Sequence, residues 1–495
     1  MARKFIGGIL ILHNNTMTNL HQSIHKRYTK PMELISRTRA IPGRDECIIY
    51  RDETLLRALS TRNPELTQEL DGWARSFYTK EGHLSAISAY DRIDVPFPQD
   101  EHSQLVDEHL ERVFDGFTQQ DSLSFETQLK LVHFESDSAA GYGYTGRKGD
   151  SDNHRQAVRT ANATIRDLFN NLEGDTVSAT INWLHNTTPD IAFTRTQLSY
   201  LPDKMKIRNV WGAPFHSILI EGLTAQPIME YFATHRTFFT IGEDPKIRVP
   251  QLISELIARN TVYCIDWSGF DASVSAEEID FAFSLIKRML NFNSHYDELC
   301  FEVSRLNFIH RKLIDPEGKI LLKHRGVPSG SFFTMIIDSI VNARRILYIF
   351  HSITRVMPEI HCQGDDSLTG VPANYQVSRG HISAICQRQL WTINPDKLKI
   401  SRYPVELEYL GRTSSGDYNF RERQKVIRLA IFTEYPVASP QISAARAHAL
   451  CIDSSFRIPE LVQAWKSLTR HYGEVPPEQL DRRLRPYDPT KFLRA

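Results

Sequence analysis

The chain has 495 residues, 41% hydrophobic, 10% aromatic and 24% charged, enough for about three domains or one large multi-lobed enzyme. That balance excludes a disordered chain, a collagen-like repeat and a small disulfide-stapled scaffold. Lysine plus arginine and aspartate plus glutamate each number 59, so the formal charge is zero, and any nucleic-acid contact requires basic residues concentrated in a channel.

In chain order, Arg3 and Lys4 precede an apolar run over 5–12 that imitates a short signal peptide. The polar His13-Asn14-Asn15-Thr16 that follows has no small-residue cleavage pattern, so the run is expected as a buried strand or helix. No stretch reaches the roughly 18 consecutive apolar residues of a membrane span. Residues 1–135 read as mixed helix and loop, with amphipathic runs over 53–70 and 104–117. A Gly-rich segment follows, Ser138-Ala-Ala-Gly141-Tyr-Gly143-Tyr-Thr-Gly146-Arg147-Lys148-Gly149, and helical spacing resumes over 154–172.

From residue 260 the pattern becomes strand, turn and helix. Thr261-Val-Tyr-Cys-Ile265 has the length and composition of a buried strand. Ser275-Ala-Glu-Glu278 predicts a capping box that opens a helix running to about residue 290. Residues 323–331 form a Gly/Pro/Ser loop before a long apolar helix over 332–350. Residues 359–362 and 367–369 flank a tight turn at Gln363-Gly364-Asp365-Asp366, predicting a hairpin. The last 75 or so residues read as mostly helical and Arg-rich. The six cysteines form no CxxC pair, which argues against a zinc ribbon or secreted disulfide framework and fits a reducing compartment. The 19 histidines show no HExxH or paired spacing.

Three segments carry chemistry. Asp266 directly follows a buried strand, while Asp365 and Asp366 sit at a hairpin tip about a hundred residues later. Acids at the ends of apolar strands have no packing role and repel one another if gathered. Divalent cations between hard oxygen ligands relieve that repulsion, and two such ions support phosphoryl or nucleotidyl transfer. Alone, Gly-Asp-Asp is a weak signal, because Gly-Asp is a common turn pair. The second segment is Gly326-Val-Pro-Ser329-Gly330-Ser-Phe-Phe-Thr334-Met-Ile-Ile-Asp338-Ser-Ile-Val-Asn342. Its Gly/Ser loop lets backbone approach a ligand closely, and the spacing places Gly330, Thr334, Asp338 and Asn342 on one helical face. An N-capped core helix with a polar stripe would look the same. The third is Asp266-Trp-Ser-Gly-Phe-Asp271, where the second acid could face a ligand's sugar or simply favour the N-terminus of the next helix.

In this order the three segments resemble palm motifs A, B and C of viral RNA-dependent RNA polymerases, in detail most like partitiviruses and nearby picobirna-like double-stranded RNA viruses. Lys206-Ile-Arg208-Asn-Val-Trp-Gly212-Ala-Pro214 resembles motif F, Thr392-Ile-Asn-Pro-Asp396-Lys397 motif D, and Glu408-Tyr-Leu-Gly-Arg412 the motif E primer grip. Ser138 to Tyr142 is a weaker match to the template-guiding motif G and lacks the proline often found there. The resemblance covers about residues 136–415 and is most specific over 260–370.

It implies an α+β right-hand fold of fingers, palm and thumb with an antiparallel palm sheet. The expected division is an N-terminal extension and fingers over 1–259 (motif G about 138–142, motif F about 204–214), palm over 260–280, a fingers insertion over 281–323, palm over 324–415 and thumb over 416–495. By the same resemblance Asp266, Asp365 and Asp366 hold Mg²⁺ or Mn²⁺, and Lys397 is the general acid for pyrophosphate. Lys206 or Lys204 with Arg208 clamps the triphosphate. Asp271 tests the ribose with Asp338 or Asn342, since Asp338 stands where many positive-strand virus polymerases carry Asn. Ser329, Gly330 and Thr334 belong to the nucleotide and template loop, and Ser138, Gly141 and Arg412 to the template and primer path. Arg421, Arg423, Lys425 and Arg428 line a product exit or form a solvated helix face.

The expected partners are template RNA, double-stranded RNA product, NTPs and a capsid protein, with no membrane and a monomeric polymerase, inside a virion in the host cytoplasm. A reverse transcriptase or other palm nucleotidyltransferase is the alternative within enzymes. A non-catalytic RNA-binding or capsid-associated protein is the alternative outside them.

Overall fold

The computed structural model describes Ile24, Tyr28 and residues 30–40, 49–172, 176–203, 205–416 and 418–476. The apolar run over 5–12, Cys47 and Lys204 lie outside the described residues.

Four antiparallel strands form the central sheet, in the order Glu359–Gln363, Asp366–Pro372, Asn260–Cys264, Lys399–Ser401. The strand expected at 261–265 is thus an inner one, and its alternation explains its apolar character. Val262 and Cys264 face one cluster with Leu252, Ile253 and Leu256 of the helix Pro245–Ile257. Tyr263 and Ile265 face the main core, against the helices Ala276–Arg288 and Thr334–Thr354. A strand covered on both faces loses the polar half of its period.

The capping box forms as expected. Ser275 Oγ accepts the Glu278 N–H at 3.1 Å, and the Glu278 carboxylate accepts the Ser275 N–H at 2.9 Å. Glu278 has a second task, because its carboxylate also pairs with Arg345 at 2.6 Å. Arg345 and Arg344 are both about 1% exposed inside the helix read from sequence as simply apolar. Arg344 pairs with Asp107 and Glu277 and lies 3.9 Å over the rings of Phe97 and Phe281. Aromatic faces and paired carboxylates make these buried guanidiniums tolerable.

A second sheet joins distant segments in the order Met32–Arg37, Lys319–Lys323, Arg311–Ile314, Asp190–Thr196, Ile207–Gly212. All its pairs are antiparallel except Asp190–Thr196 with Arg311–Ile314. The helix Asn153–Asn171 matches the spacing over 154–172 and packs on Phe215–Thr234.

The third unit is helical: Arg423–Ile431, Pro440–Asp453 and Pro459–Tyr472. The amphipathic run over 53–70, the helices Glu53–Ser60 and Leu66–Leu70, buries Leu55, Leu59 and Leu66 in this C-terminal cluster. Asp52 accepts from Ser443 at 2.7 Å and pairs with Arg446, which locks that junction. This N-terminal segment thus contributes to the C-terminal unit. Cys264, Cys300, Cys362, Cys386 and Cys451 are buried free thiols. Among the described residues, no helix is long and apolar enough to cross a membrane.

Candidate active site

The sheet register brings the acids together. Thr369 pairs with Tyr263, so continuing the antiparallel register three residues sets Asp366 level with Asp266. Asp365 occupies the turn between them, where Gln363 pairs with Asp366 and Gly364 adopts φ +62°. That left-handed conformation is why glycine precedes the acid pair. Two residues of the helix Thr334–Thr354 fix the turn. Ser339 Oγ accepts the Gly364 N–H at 2.8 Å, and Asn342 Nδ2 donates to the carbonyls of Gly364 at 2.9 Å and Asp366 at 3.2 Å.

Proximity is visible in the proton affinities. Asp366 is pushed up to about 7, first by the protein packed around it and then by repulsion from Asp365, Asp266 and Glu408. Its side chain still meets solvent at the cleft rim, so the repulsion is the part that a cation can relieve. Asp365 is also raised, by burial and by Asp266, against the opposing pull of Arg208 and Lys397. Lys397 Nζ stands 3.3 Å from Asp266 Oδ2. The loop that carries it is tied to Asp266 by the Asn394 N–H donating to the Asp266 carbonyl at 2.8 Å.

Among the described residues, no three His, Cys, Asp or Glu side chains are gathered tightly enough to hold a metal ion as they stand. The donor set nonetheless fits a hard divalent cation. It consists of carboxylates alone, crowded enough to raise the proton affinity of Asp365 and Asp366, with an exposed Lys397 ammonium on Asp266 that a cation can displace. A testable consequence follows from the sign of the Asp366 shift. Between its ordinary 3.8 and about 7 the folded protein holds a proton that the unfolded chain has released. The cation-free protein therefore loses stability as pH rises through that window. Added Mg²⁺ should raise the melting temperature more at about pH 8 than at about pH 5.5, by a few degrees at most for a solvent-facing site. Asp366→Asn should flatten that difference. Equal increments at both pH values in both proteins would contradict the cluster.

The segment 326–333 wraps the second acid. Val327 N–H donates to the Asp271 carbonyl at 2.8 Å, and Ser329 Oγ donates to the Asp271 carboxylate. Asp271 lies in the short helix Phe270–Ser273 behind a left-handed Gly269. Burial, then Asp365, raises its pKa, while the Ser329 bond and Arg208 pull the other way. Asp338 is 6% exposed, its Oδ1 has no partner, and burial followed by Asp271 and Asp365 holds its carboxyl well above the usual range.

Asn342 bears on the choice that the sequence leaves open between it and Asp338. It is fully buried, and beyond its two carbonyl bonds its Oδ1 accepts Trp267 Nε1 at 2.8 Å. Three of the four hydrogen-bonding positions of its amide are taken up inside the fold, whereas Asp338 lies beside Asp271 with its Oδ1 unpartnered. Gly330 is likewise not on the helix, which begins at Thr334. It adopts φ +124°, and a Cβ there would lie 2.4 Å from the Trp211 carbonyl oxygen. Thr334 Oγ1 closes the loop onto the Pro328 carbonyl at 3.0 Å.

Arg208 and Lys206 are exposed on and beside the strand Ile207–Gly212. The positive charge of Arg208 acts on Asp271, Asp365 and Asp366. Lys206, Asp266, Asp366 and Lys397 line one cleft together with Arg421, Lys425 and Arg428. Arg428 also covers Trp73 at 3.9 Å, and Lys425 pairs with Glu408 at 2.6 Å. Arg423 is instead bound to Glu69 and Glu460.

Each of the three expected template or primer residues has contacts within the fold. Arg412 is 8% exposed and turns into the helical unit, where it pairs with Asp453 and donates to the Asp453 carbonyl at 2.8 Å. A guanidinium so committed does not grip a primer. Gly141, at φ +83°, abuts the Ala213 carbonyl, where a Cβ would stand at 2.5 Å. Ser138 Oγ donates to the Glu135 carbonyl at 2.7 Å, a local turn bond.

Sequence reasoning missed Glu221, Asp190 and Arg311, a buried charged triad behind the 326–333 loop. The signal was present in Ile218-Leu-Ile-Glu221-Gly-Leu, a carboxylate inside an apolar helix, which burial permits only with partners.

A family model described as viral RNA-dependent RNA polymerase matches residues 50–469. The chain is 24% identical over 262 residues to the non-structural polyprotein 1AB of Ovine astrovirus 1, covering 46% of this chain and 19% of that protein. It is 38% identical over 78 residues to the RNA-directed RNA polymerase of Cryptosporidium parvum virus 1 (strain KSU-1), 16% of this chain and 14% of that one. It therefore spans less than a fifth of either relative. Among solved structures, the RNA-dependent RNA polymerase of a human picobirnavirus superposes with TM-score 0.64 at 15% identity, over 88% of this chain and 87% of that one. The Sicinivirus 3Dpol polymerase gives 0.64 at 14%, over 88% and 99%. At such identities the likeness establishes the fold, an α+β right hand with an antiparallel palm.

Proposed function

This chain belongs to the viral RNA-dependent RNA polymerase family, and from that premise we propose that it extends an RNA strand on an RNA template by nucleotidyl transfer from NTPs. One observation carries the reading: Asp266 and Asp366 line one cleft, with Asp365 in the adjoining turn and the Arg208 charge acting on Asp365 and Asp366.

Divalent cations held by Asp266, Asp365 and Asp366, Mg²⁺ or Mn²⁺, would supply acidification of the RNA 3′-hydroxyl and neutralisation of the leaving pyrophosphate. The chain's own residues supply the rest. Arg208, with Lys206 in the same cleft, offers a planar donor fork to the triphosphate oxygens. Lys397 carries a proton within reach of the cleft, and the Asp266 carboxylate orients it from 3.3 Å. Asp271, held by Ser329, accepts a hydrogen bond from the 2′-hydroxyl, and Asp338 beside it presents a carboxyl whose pKa burial raises well above the usual range. The half-buried Lys425 and Arg428, which line the same cleft, contribute basic groups for the duplex product.

The proposal extends to a double-stranded RNA virus whose polymerase works as a monomer within a capsid in the host cytoplasm. Its support is the likeness of the motif B and C segments to partitivirus and picobirna-like polymerases.

The test is nucleotide incorporation by purified protein on single-stranded RNA, with Mg²⁺ or Mn²⁺ and with NTPs or dNTPs. Template- and cation-dependent NTP incorporation is the expected result. A preference for dNTPs would move the reading to a reverse transcriptase. RNA binding with no incorporation, in free protein and in intact particles alike, would leave the non-catalytic alternative.

A further inference from the structure

The loop that brings Ser329 to Asp271 is held at its other end by one buried carboxylate outside the palm. Glu221, 2% exposed in the helix Phe215–Thr234, accepts Ser331 Oγ at 2.8 Å and the Phe332 N–H at 2.9 Å through the same oxygen. Its other oxygen accepts Arg311 at 2.9 Å, and Arg311 in turn donates to Asp190 at 2.8 Å. Between these ends, the Trp211 N–H donates to the Ser329 carbonyl at 2.8 Å, and Gly330 is pressed onto Trp211. Ser329 and Ser331 are thus two residues apart, one bound to Asp271 and the other to Glu221.

Arg311 and Asp190 could neutralise each other without Glu221. What Glu221 adds is a charge-assisted pull on the loop, stronger than a neutral bond and aimed at two donors at once. We propose that Glu221 is a positioning residue for sugar selection: by fixing Ser331 and Phe332 it sets the loop so that Ser329 holds Asp271 against the ribose of the incoming nucleotide. This rests on the polymerase reading above. Glu221→Gln keeps the shape but cannot serve both sides. Turning its oxygen to the loop sets its amide N–H groups against the Arg311 donors, and the reverse orientation abandons the loop.

The experiment compares kcat/KM for an NTP and its matching dNTP in wild type, Glu221→Gln and Ser331→Ala. A loosened loop should lower the NTP value and spare the dNTP value, narrowing the ratio about tenfold in Glu221→Gln. Ser331→Ala, which retains the Phe332 bond, should narrow it about threefold. A merely structural role lowers both substrates by one factor. That outcome, or an unchanged ratio in an active enzyme, overturns this inference alone. If Glu221→Gln does not fold, Ser331→Ala decides by the same ratio. A wild type that incorporates neither nucleotide, free or in intact particles, overturns the polymerase reading and this inference with it.

Discussion

Asp365→Asn is expected to abolish templated incorporation, lowering the rate by about 10³-fold or more, while leaving the protein at least as stable as wild type. The two halves have one cause. Asp365 stands at a turn whose shape is fixed by others, by Gly364 at φ +62° and by Ser339 and Asn342 on the Gly364 backbone. The carboxylate is not needed to fold the turn, and it raises the proton affinity of Asp366. Replacing it with an amide of the same shape removes repulsion from the cation-free protein and charge from the cation site. Removing one preorganised electrostatic group from a reaction centre typically costs about 10²–10³ in rate, and the loss of a charged cation ligand lies at or beyond that range. The measurement pairs incorporation kinetics with a thermal melt. Retention of a tenth of wild-type activity would remove Asp365 from the reaction centre, and loss of activity together with the fold would make it a structural acid.

The acids were legible in the sequence because each is announced locally. Asp266 ends a run too apolar for any exposed strand, and Gly364 marks a turn whose only charged content is the acid pair. The capping box at Ser275 and Glu278 was legible for the same reason. Other positions depend on partners that no local pattern names. Spacing places Asp338 and Asn342 on one helical face, yet only the arrival of Trp267 and the 364–366 turn shows which of them is enclosed. Arg412 has the sequence context of an RNA contact, and Asp453, forty-one residues later, claims it. The run over 53–70 is visibly amphipathic, but periodicity gives a face and not the surface that covers it. Arg344 and Arg345 sit in a helix whose other residues read as core, and their carboxylate partners come from helices far upstream. Gly330 fits the helical period by number while its backbone is bent away by Trp211.

The division of labour between Asp338 and Asn342 predicts opposite signatures for their substitution. Asn342→Ala, at a fully buried position, strips partners from the carbonyls of Gly364 and Asp366 and from Trp267 Nε1. Each buried polar group left unsatisfied costs about 1–3 kcal/mol, so the loss totals several kcal/mol and a melting temperature lower by about 5 °C or more. Because the released turn carries Asp365 and Asp366, incorporation of NTP and dNTP should fall together. Asn342→Asp should do no better, since a carboxylate offers the two carbonyls no proton. Asp338 is the reverse case. Its Oδ1 bonds nothing, and burial beside Asp271 and Asp365 raises its pKa well above the usual carboxylate range, so Asp338→Ala removes an acid the fold does not use and should melt within a degree or two of wild type. What it should lose is discrimination, with kcat/KM for NTP falling about tenfold and that for dNTP little changed. Asp338→Asn, a neutral group of the same shape, should restore most of the preference. If instead Asn342→Ala folds normally and loses only its preference for ribose, Asn342 reads the sugar, and its three bonds must open when the nucleotide enters.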